Sequence, residues 1–276
     1  REASMTDLNG LLVIGCGKMG GSIVSGFLAK GADKSAVRVV EPNAEIRESL
    51  ARRGITAFEN ITQAADFSPA VVFTAVKPFL IADVIDGVKP FTDKGAVLFT
   101  IVAGKPIAFY EKHLGERAAV VRAMPNTPAA IGKGITGLIA NGNASDSQKQ
   151  AVAEIAQACG EAVWLTDESQ IDAVTAVSGS GPAYLFYLTE ALSAAAKSLG
   201  LADDTAEKLA KATIIGSAAL MEQSTETPAK LRQNVTTPNG TTAAALDVLM
   251  NEQTGFEPLM KRAVKAAENR SKELGK

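Results

Sequence analysis

The chain has 276 residues, of which 46% are hydrophobic and 21% are charged, and its formal net charge is -2. These values are typical of a globular protein with a sizeable core, and the length predicts two domains or one large one. Without an excess of basic residues, and with an aromatic content of 5%, the chain gives no reason to expect nucleic acid as a partner.

The cysteine and histidine content also limits the function. Cys16 and Cys159 are far apart and form no Cys-x-x-Cys pair, so we predict free thiols in a reducing compartment, the cytoplasm. His113 is the single histidine, which argues against a zinc site, and we predict no metal. No apolar run reaches the roughly 18 residues of a membrane span, and we expect no membrane partner. Arg1–Ser4 precede Met5, and we interpret them as a cloning remnant that is not part of the fold.

A glycine-rich turn near the start of the chain carries the strongest motif. The apolar run Leu11–Ile14 leads into Gly15-Cys16-Gly17-Lys18-Met19-Gly20, and residues with helical period follow. Gly15 permits a tight turn, Gly17 lets the backbone approach a pyrophosphate, and Gly20 allows the helix to pack close to the strand. The alternative is a glycine turn without a ligand, but the flanking strand and helix favour a dinucleotide site.

A second strand and helix are predicted at Val37–Glu41 and Ala44–Arg53. Glu41 ends the strand about twenty residues past the glycine turn, where dinucleotide folds place an acid on the ribose 2′-hydroxyl. The alternative is a charge that faces solvent at the strand end. Arg38 and Arg47 are near enough in sequence to bind a 2′-phosphate, so the choice between NADH and NADPH stays open at this point.

Three more apolar runs alternate with helical segments, which predicts a doubly wound parallel sheet. These runs are Ala70–Val76, Ala96–Val102 and Ala118–Met124. Ligands of such sheets bind at the carboxyl ends of the strands. Lys77, Ala103-Gly104 and Pro125–Pro128 should therefore border one crevice.

The character of the chain changes near residue 165. A last strand, helix and strand are predicted at Ile135–Ala140, Ser145–Cys159 and Ala162–Leu165, and only helical patterns follow. The predicted helices are Ile171–Val177, Ala183–Leu199, Thr205–Met221, Ala243–Leu249 and Phe256–Leu274. We therefore predict a dinucleotide-binding domain over 5–165 and a helical domain over 166–276. The small and apolar helix faces favour a subunit interface, with a self-contained bundle as the alternative.

Two polar interruptions break the helical half. Ser178–Tyr184 contains two glycines before Pro182, and Asn234–Thr242 is a hydroxyl-rich turn that opens a helix. Backbone N–H groups of such a turn and the N-terminus of the helix form a site for a carboxylate-sized anion. The alternative is ordinary helix capping by Ser, Thr and Asn.

At these motifs the chain closely resembles the pyrroline-5-carboxylate reductases over nearly its whole length. The matching segments are Ile14–Gly20, Ala75–Pro78, Arg122–Pro128, Ser178–Tyr184 and, most specifically, Val235–Thr242. The family's turn usually has two glycines, and Asn239 replaces the first. Because Asn tolerates a left-handed backbone, we expect the turn to survive. Glu41 departs from the small hydroxyl residues common in NADPH-preferring members.

The resemblance implies an α/β chain with an N-terminal Rossmann-type doubly wound sheet and a C-terminal all-α dimerisation domain. It also implies reduction of the cyclic imine L-1-pyrroline-5-carboxylate to L-proline by NADPH or NADH, the final step of proline biosynthesis. Val235, Thr237, Gly240 and Thr242 would bind the substrate, and the Thr242 hydroxyl would act on the ring nitrogen.

The cofactor-binding residues that the resemblance implies follow the glycine turn and the strand ends. They are Gly15, Gly17, Lys18, Met19, Gly20, Glu41, Asn60, Ala75, Val76, Lys77, Pro78, Ala103, Met124, Asn126 and Thr127. In this family the helical domains interlock in a homodimer, and dimers often assemble further.

The proton source and two other functions stay open. We expect His113 at the surface, Lys77 is a weak donor candidate, and a protonated substrate held in position is the simplest scheme. A β-hydroxyacid dehydrogenase would share the two-domain plan but needs a catalytic lysine in the helical half. A non-catalytic NAD(P)H sensor would need no second small-molecule site.

Overall fold

The computed structural model describes residues 10–275, so Arg1–Ser4 lie outside the described residues. It contains one sheet of eight strands in the order β3-β2-β1-β4-β5-β6-β7-β8. The strands are β1 (Leu11–Ile14), β2 (Val37–Val40), β3 (Thr56–Phe58), β4 (Val71–Thr74), β5 (Val97–Thr100), β6 (Val120–Met124), β7 (Gly134–Ala140) and β8 (Gly160–Trp164). The predicted doubly wound sheet is confirmed, and the short edge strand β3 was not predicted.

Strand β7 differs from the parallel arrangement that the alternating pattern predicts. It pairs antiparallel to β6, with Arg122 opposite Ile139, whereas all the other pairs in the sheet are parallel. Residues 125–133 connect β6 to β7 through the short 3-10 helix Thr127–Ile131. A parallel crossover needs a dozen or more residues, so this connection can only return the chain antiparallel.

The helices of the first part of the chain pack on both faces of the sheet. They are α1 (Lys18–Ala29), α2 (Ala44–Arg52), α3 (Ile81–Val84), α4 (Lys89–Thr92), α5 (Ile107–Leu114), α6 (Asp146–Gln157) and α7 (Gln170–Val174). Successive strand residues point to opposite faces. Leu11 and Val13 therefore join a core with α1, α2 and α6, whereas Leu12 and Ile14 join one with α3, α4 and α5.

The second part of the chain is helical, as predicted. A π-helical turn, Thr175–Gly179, follows α7. The remaining helices are α8 (Gly181–Ser198), α9 (Asp203–Gln223), α10 (Pro228–Asn234), α11 (Thr241–Leu249) and α12 (Phe256–Leu274). Helix α10 was not predicted, because its seven residues show too little periodicity.

The described chain forms two compact units. The first runs from residue 10 to Gly179 and also includes the end of α12 from Glu268, and the second is Ser180–Ala267. Among the described residues, no helix combines the length and apolar character that a membrane crossing requires.

Candidate active site

The glycine turn after β1 has the geometry that a pyrophosphate requires. Gly15 has a positive φ of 86°, and its N–H donates to Val40 O at 2.9 Å. A Cβ on Gly20 would overlap Gly15 O, so only glycine allows α1 to begin this close to the strand. A Cβ on Gly17 would enter open space, and no side chain caps α1. The turn therefore leaves an uncapped helix N-terminus that fits an anionic ligand.

The strand order reverses between β1 and β4, which places the other predicted loops beside the glycine turn. Ala75 N donates to Ile14 O at 2.8 Å, and Ile101 N donates to Thr74 O at 3.2 Å. The chain after β4 and the chain after β5 therefore leave the sheet at the same carboxyl edge. Pro78 opens a short 3-10 helix, Pro78–Leu80, as predicted from its position. This edge is where open α/β sheets bind ligands.

Glu41 does not face solvent as the alternative interpretation required. Glu41 is the residue directly after β2, and it is 7% exposed. The carboxylate accepts hydrogen bonds from Cys16 N at 2.8 Å, through Oε2, and from Asn43 N at 3.0 Å, through Oε1. Glu41 therefore links the end of β2 to the glycine turn itself.

The same surroundings determine the chemistry of Cys16. Burial and, to a smaller extent, the Glu41 charge raise the pKa of the Cys16 thiol to about 11. Burial also raises the pKa of Cys159, whose Sγ donates to Ser22 O at 3.3 Å. Both thiols are free and buried, so neither is poised as a nucleophile near neutral pH.

Two asparagines of the predicted cofactor set have local structural partners. Asn60 follows β3, and its Oδ1 accepts from Thr62 Oγ1 at 2.6 Å. Its backbone N–H donates to Gln63 Oε1 at 3.2 Å in the capping box of the next 3-10 helix. Asn126 Oδ1 accepts from Ile135 N at 2.9 Å and so fixes the start of β7. Both residues lie just after strands whose carboxyl ends form the crevice edge.

The end of α12 supports the loop after β5, which the sequence alone did not indicate. Gly104 has a φ of 74°, and a Cβ there would lie 2.8 Å from Leu274 O. Ser271 Oγ donates to Asp172 Oδ1 at 2.6 Å, which fastens the same helix end to α7. The Ala103-Gly104 loop therefore depends on the last turn of the chain's last helix.

A partly buried ion pair joins strand β6 to the start of α5, which follows the Ala103-Gly104 loop. Arg122 on β6 donates from Nη1 to Glu168 Oε1 at 2.8 Å, and their side chains are 11% and 31% exposed. Glu168 Oε1 also accepts from Ile107 N at 2.8 Å, at the first turn of α5. The arginine inside an apolar strand run was the only sequence signal for this pair.

The Val235–Thr242 turn lies in the second unit and has the predicted backbone. Asn239 has a φ of 59°, the one positive value for a non-glycine among residues 10–275, and the expectation that Asn fits this turn is confirmed. Gly240 N donates to Thr237 O at 3.0 Å, and a Cβ on Gly240 would overlap Thr237 Oγ1. Helix α11 then begins with no side chain capping it. The turn thus presents backbone N–H groups and the half-buried Thr242.

His113, which we expected at the surface, is less exposed than that, whereas Lys77, the weak donor candidate, is exposed. His113 is half-buried, and its Nδ1 lies 2.8 Å from Asp86 Oδ1. It stands near the C-terminus of α5, which begins at the carboxyl edge after β5 and runs back across the sheet, so the ring lies toward the opposite edge. Lys77 is exposed after β4, with its Nζ 5.9 Å from the centre of the Phe79 ring.

The helical unit buries very little of its apolar surface on its own. Phe186 is 62% exposed and Val248 is 72% exposed. A groove of about 620 Å³ runs between α8 and α9, with Leu185 and Ile215 in its lining. Apolar surface of this extent is typical of a face that another chain covers.

Two family models match the chain. Residues 168–274 match the pyrroline-5-carboxylate reductase dimerisation model. Residues 11–104 match the model described as NADP oxidoreductase coenzyme F420-dependent. Together they cover the helical part and the glycine turn with its first strands.

Curated relatives and solved structures agree over most of the chain. The pyrroline-5-carboxylate reductase of Pseudomonas aeruginosa is 41% identical over 95% of each chain, and that of Corynebacterium melassecola is 38% identical over 96% of this chain and 98% of its own. The Coxiella burnetii structure has a TM-score of 0.92 at 36% identity and covers 98% of this chain and 100% of its own. The Plasmodium falciparum structure with NADP bound has a TM-score of 0.81 at 28% identity, with 99% and 100% covered.

These likenesses extend through the glycine turn, the crevice loops and the Val235–Thr242 turn described above. The chain belongs to the pyrroline-5-carboxylate reductase family.

Proposed function

We propose that this chain reduces L-1-pyrroline-5-carboxylate to L-proline with NAD(P)H, which completes proline biosynthesis. One observation carries the proposal: the Val235–Gly240 turn runs into the uncapped N-terminus of α11. This is an anion site next to a threonine hydroxyl, in a chain that also has a dinucleotide turn. The substrate, a small imine with one carboxylate, needs both features.

The cofactor would be held at the carboxyl edge of the sheet. The N-terminus of α1, from Gly17 through Lys18 and Met19, fits the pyrophosphate because its first N–H groups have no side-chain cap. Bound NAD(P)H supplies the hydride. We assign the nicotinamide to the loops after β4, β5 and β6. The residues concerned are Ala75, Val76, Lys77, Pro78, Ala103, Met124, Asn126 and Thr127, with Asn60 toward the adenosine end.

The substrate would be held by the second unit. Backbone N–H groups at the start of α11 bind the carboxylate, while Val235 and Thr237 shape the turn and Gly240 keeps it open. The Thr242 hydroxyl hydrogen-bonds the ring nitrogen. A neutral hydroxyl is a poor proton source, so Thr242 orients an imine that arrives protonated, and catalysis comes mainly from positioning.

We also propose the wider organisation of the protein. Residues 5–165 act as the nucleotide domain and 166–276 as the substrate and dimerisation domain, in line with the family match that begins at residue 168. The exposed apolar helices support a homodimer with interlocked helical domains, from which larger assemblies can be built. The two free thiols support the cytoplasm as its location.

The test is NADH or NADPH oxidation on addition of pyrroline-5-carboxylate, with Thr242→Ala and Thr242→Ser compared with wild type. Loss of one hydrogen bond to the charged ring should lower kcat/KM about 10- to 100-fold in Thr242→Ala. Thr242→Ser keeps the hydroxyl and should retain most of the activity. Thr241→Ala, a change on the exposed neighbour, is the matched control.

Equal rates for Thr242→Ala and wild type would remove the assigned role of Thr242. Absence of turnover with either cofactor would overturn the reductase proposal. NAD(P)H binding without turnover would then favour the sensor, and turnover of a hydroxyacid would favour the dehydrogenase.

A further inference from the structure

We propose that this chain selects NADH over NADPH and that Glu41 sets the preference. The inference rests on the proposed function, because it assumes that the glycine turn binds the cofactor. The inference goes beyond the proposed function because it assigns one form of the dinucleotide, NADH, and one residue that discriminates against NADPH.

Glu41 is fixed in place rather than free to swing away. It is 7% exposed, and each carboxylate oxygen accepts a backbone hydrogen bond, from Cys16 N at 2.8 Å and from Asn43 N at 3.0 Å. Charge-assisted bonds of this kind are strong. Moving the side chain would break both and would leave the Cys16 N–H without an acceptor.

This fixed carboxylate stands where the adenosine ribose must pass. Cys16 belongs to the turn that fits the pyrophosphate, and the ribose is the next group along the cofactor. Each carboxylate oxygen has a second lone pair beyond the bond it already accepts. Glu41 can therefore accept from the 2′-hydroxyl of NADH, but it repels the 2′-phosphate of NADPH.

Arg38 is turned away from this position. Its Nη1 donates to Ser35 O at 2.7 Å, and its guanidinium carbon lies 5.2 Å from the centre of the Phe67 ring. Phe67 packs beside Gly10, which precedes β1. The Arg38 charge therefore lies at the amino end of the strands, opposite the glycine turn.

The Arg47 side chain is hydrogen-bonded to backbone carbonyl oxygens at and beside Glu41. Its Nη1 donates to Glu41 O at 2.8 Å and to Pro42 O at 2.6 Å. Glu45 and Glu59 add two exposed acids near the ends of β2 and β3. Three acids, Glu41, Glu45 and Glu59, thus outnumber Arg47 at these strand ends, and the Arg47 guanidinium already has two backbone acceptors.

The binding test uses calorimetric titration of the intact protein with NAD+ and with NADP+, which reports affinity without turnover. The wild type should bind NAD+ at least about tenfold more tightly, because a like-charge contact at short range costs at least that factor. Glu41→Gln removes the charge and keeps one oxygen acceptor, but its NH2 group meets the second backbone N–H and one of the two hydrogen bonds is lost. The expected result is therefore a change in the ratio of the two affinities, which should shift toward NADP+. Glu48→Gln, on an exposed position of α2, should leave the ratio unchanged. The ratio of kcat/KM for NADH and NADPH should follow the same order.

Three results would overturn the inference. These are wild-type NADP+ affinity equal to or above that for NAD+, an unchanged ratio in Glu41→Gln, or a tenfold loss of NADP+ affinity in Arg47→Gln, which would make Arg47 a phosphate ligand. Failure to bind either dinucleotide would instead overturn the cofactor site of the proposed function, and this preference with it.

Discussion

Asn239 shows how one residue can replace another without loss of the turn. The resemblance to the family predicts two glycines here, yet the chain has Asn239 at a φ of 59° followed by Gly240. Left-handed backbone costs most L-residues about 1–2 kcal/mol, and Asn less, because its short polar side chain can bond locally. Gly240 is under a different constraint, since the Thr237 hydroxyl occupies the space that a Cβ would need.

Substitutions at Asn239 should follow this conformational order. We expect Asn239→Gly to keep full activity, and Asn239→Val to lose about 1–2 kcal/mol of stability because a β-branched residue is strained at positive φ. The KM for the imine should rise in Asn239→Val, while dinucleotide affinity stays at the wild-type value. Thermal unfolding and steady-state kinetics measure the two effects. Wild-type behaviour of Asn239→Val would show that the turn relaxes out of the left-handed region.

At the scale of elements, hydrophobic pattern predicted most of the fold. Runs such as Ala70–Val76 are apolar on both faces, which is typical of parallel strands buried on both sides. Strand β3 was missed because its residues Thr56–Phe58 are few and only partly buried at the sheet edge. The direction of β7 was missed because it depends on the length of a connection, which periodicity does not contain.

The candidate site also has parts that the sequence predicted and parts that it did not. The glycine turn and the Val235–Thr242 turn are local, so adjacent residues specify them and the sequence revealed both. Arg122 and Glu168 meet only after the sheet has folded, and so do Gly104 and the end of α12. Residues that lie far apart in the chain form no motif of fixed spacing, so the sequence does not predict that they meet.

The Arg122–Glu168 pair should matter to stability more than an ordinary surface pair. Glu168→Ala would leave Arg122 buried without its partner and the first N–H of α5 uncapped, at a cost of about 2–4 kcal/mol. Glu168→Gln keeps an oxygen for both donors and should lose less. Urea denaturation measures both, with Glu161→Gln on the exposed side of β8 as the control. An effect of Glu168→Ala no larger than that of the control would show that water replaces the carboxylate.

At the scale of the whole molecule, the two units differ in how they obtain their stability. The sheet unit has two cores of buried side chains, whereas the buried positions of α8 and α9 are Ser193, Ala206 and Ala210. Small residues contribute little apolar area. The helical unit therefore depends on a partner chain, as its match to a dimerisation model indicates.

A charge placed on the exposed helical face should separate the subunits. We expect Phe186→Glu to shift the protein toward monomer and to remove most of the activity, because a buried unpaired carboxylate is costly. Sedimentation velocity measures the association state. Lys112→Glu, on an exposed position of α5, is the control. Retention of both the assembly and the activity in Phe186→Glu would place the interface elsewhere.

The thin core of α8 and α9 also bears on the order of events when the chain refolds. The sheet unit can fold within one chain, so its signal should return at a rate that does not depend on protein concentration. The helical unit can complete its burial only after two chains meet, so recovery of activity should become second-order when the protein is dilute. Until that encounter, its leucines and its two phenylalanines, Phe186 and Phe256, stay exposed to chaperones and prone to aggregation. The lifetime of this partly folded chain is then set by the rate at which it associates with a second copy of itself.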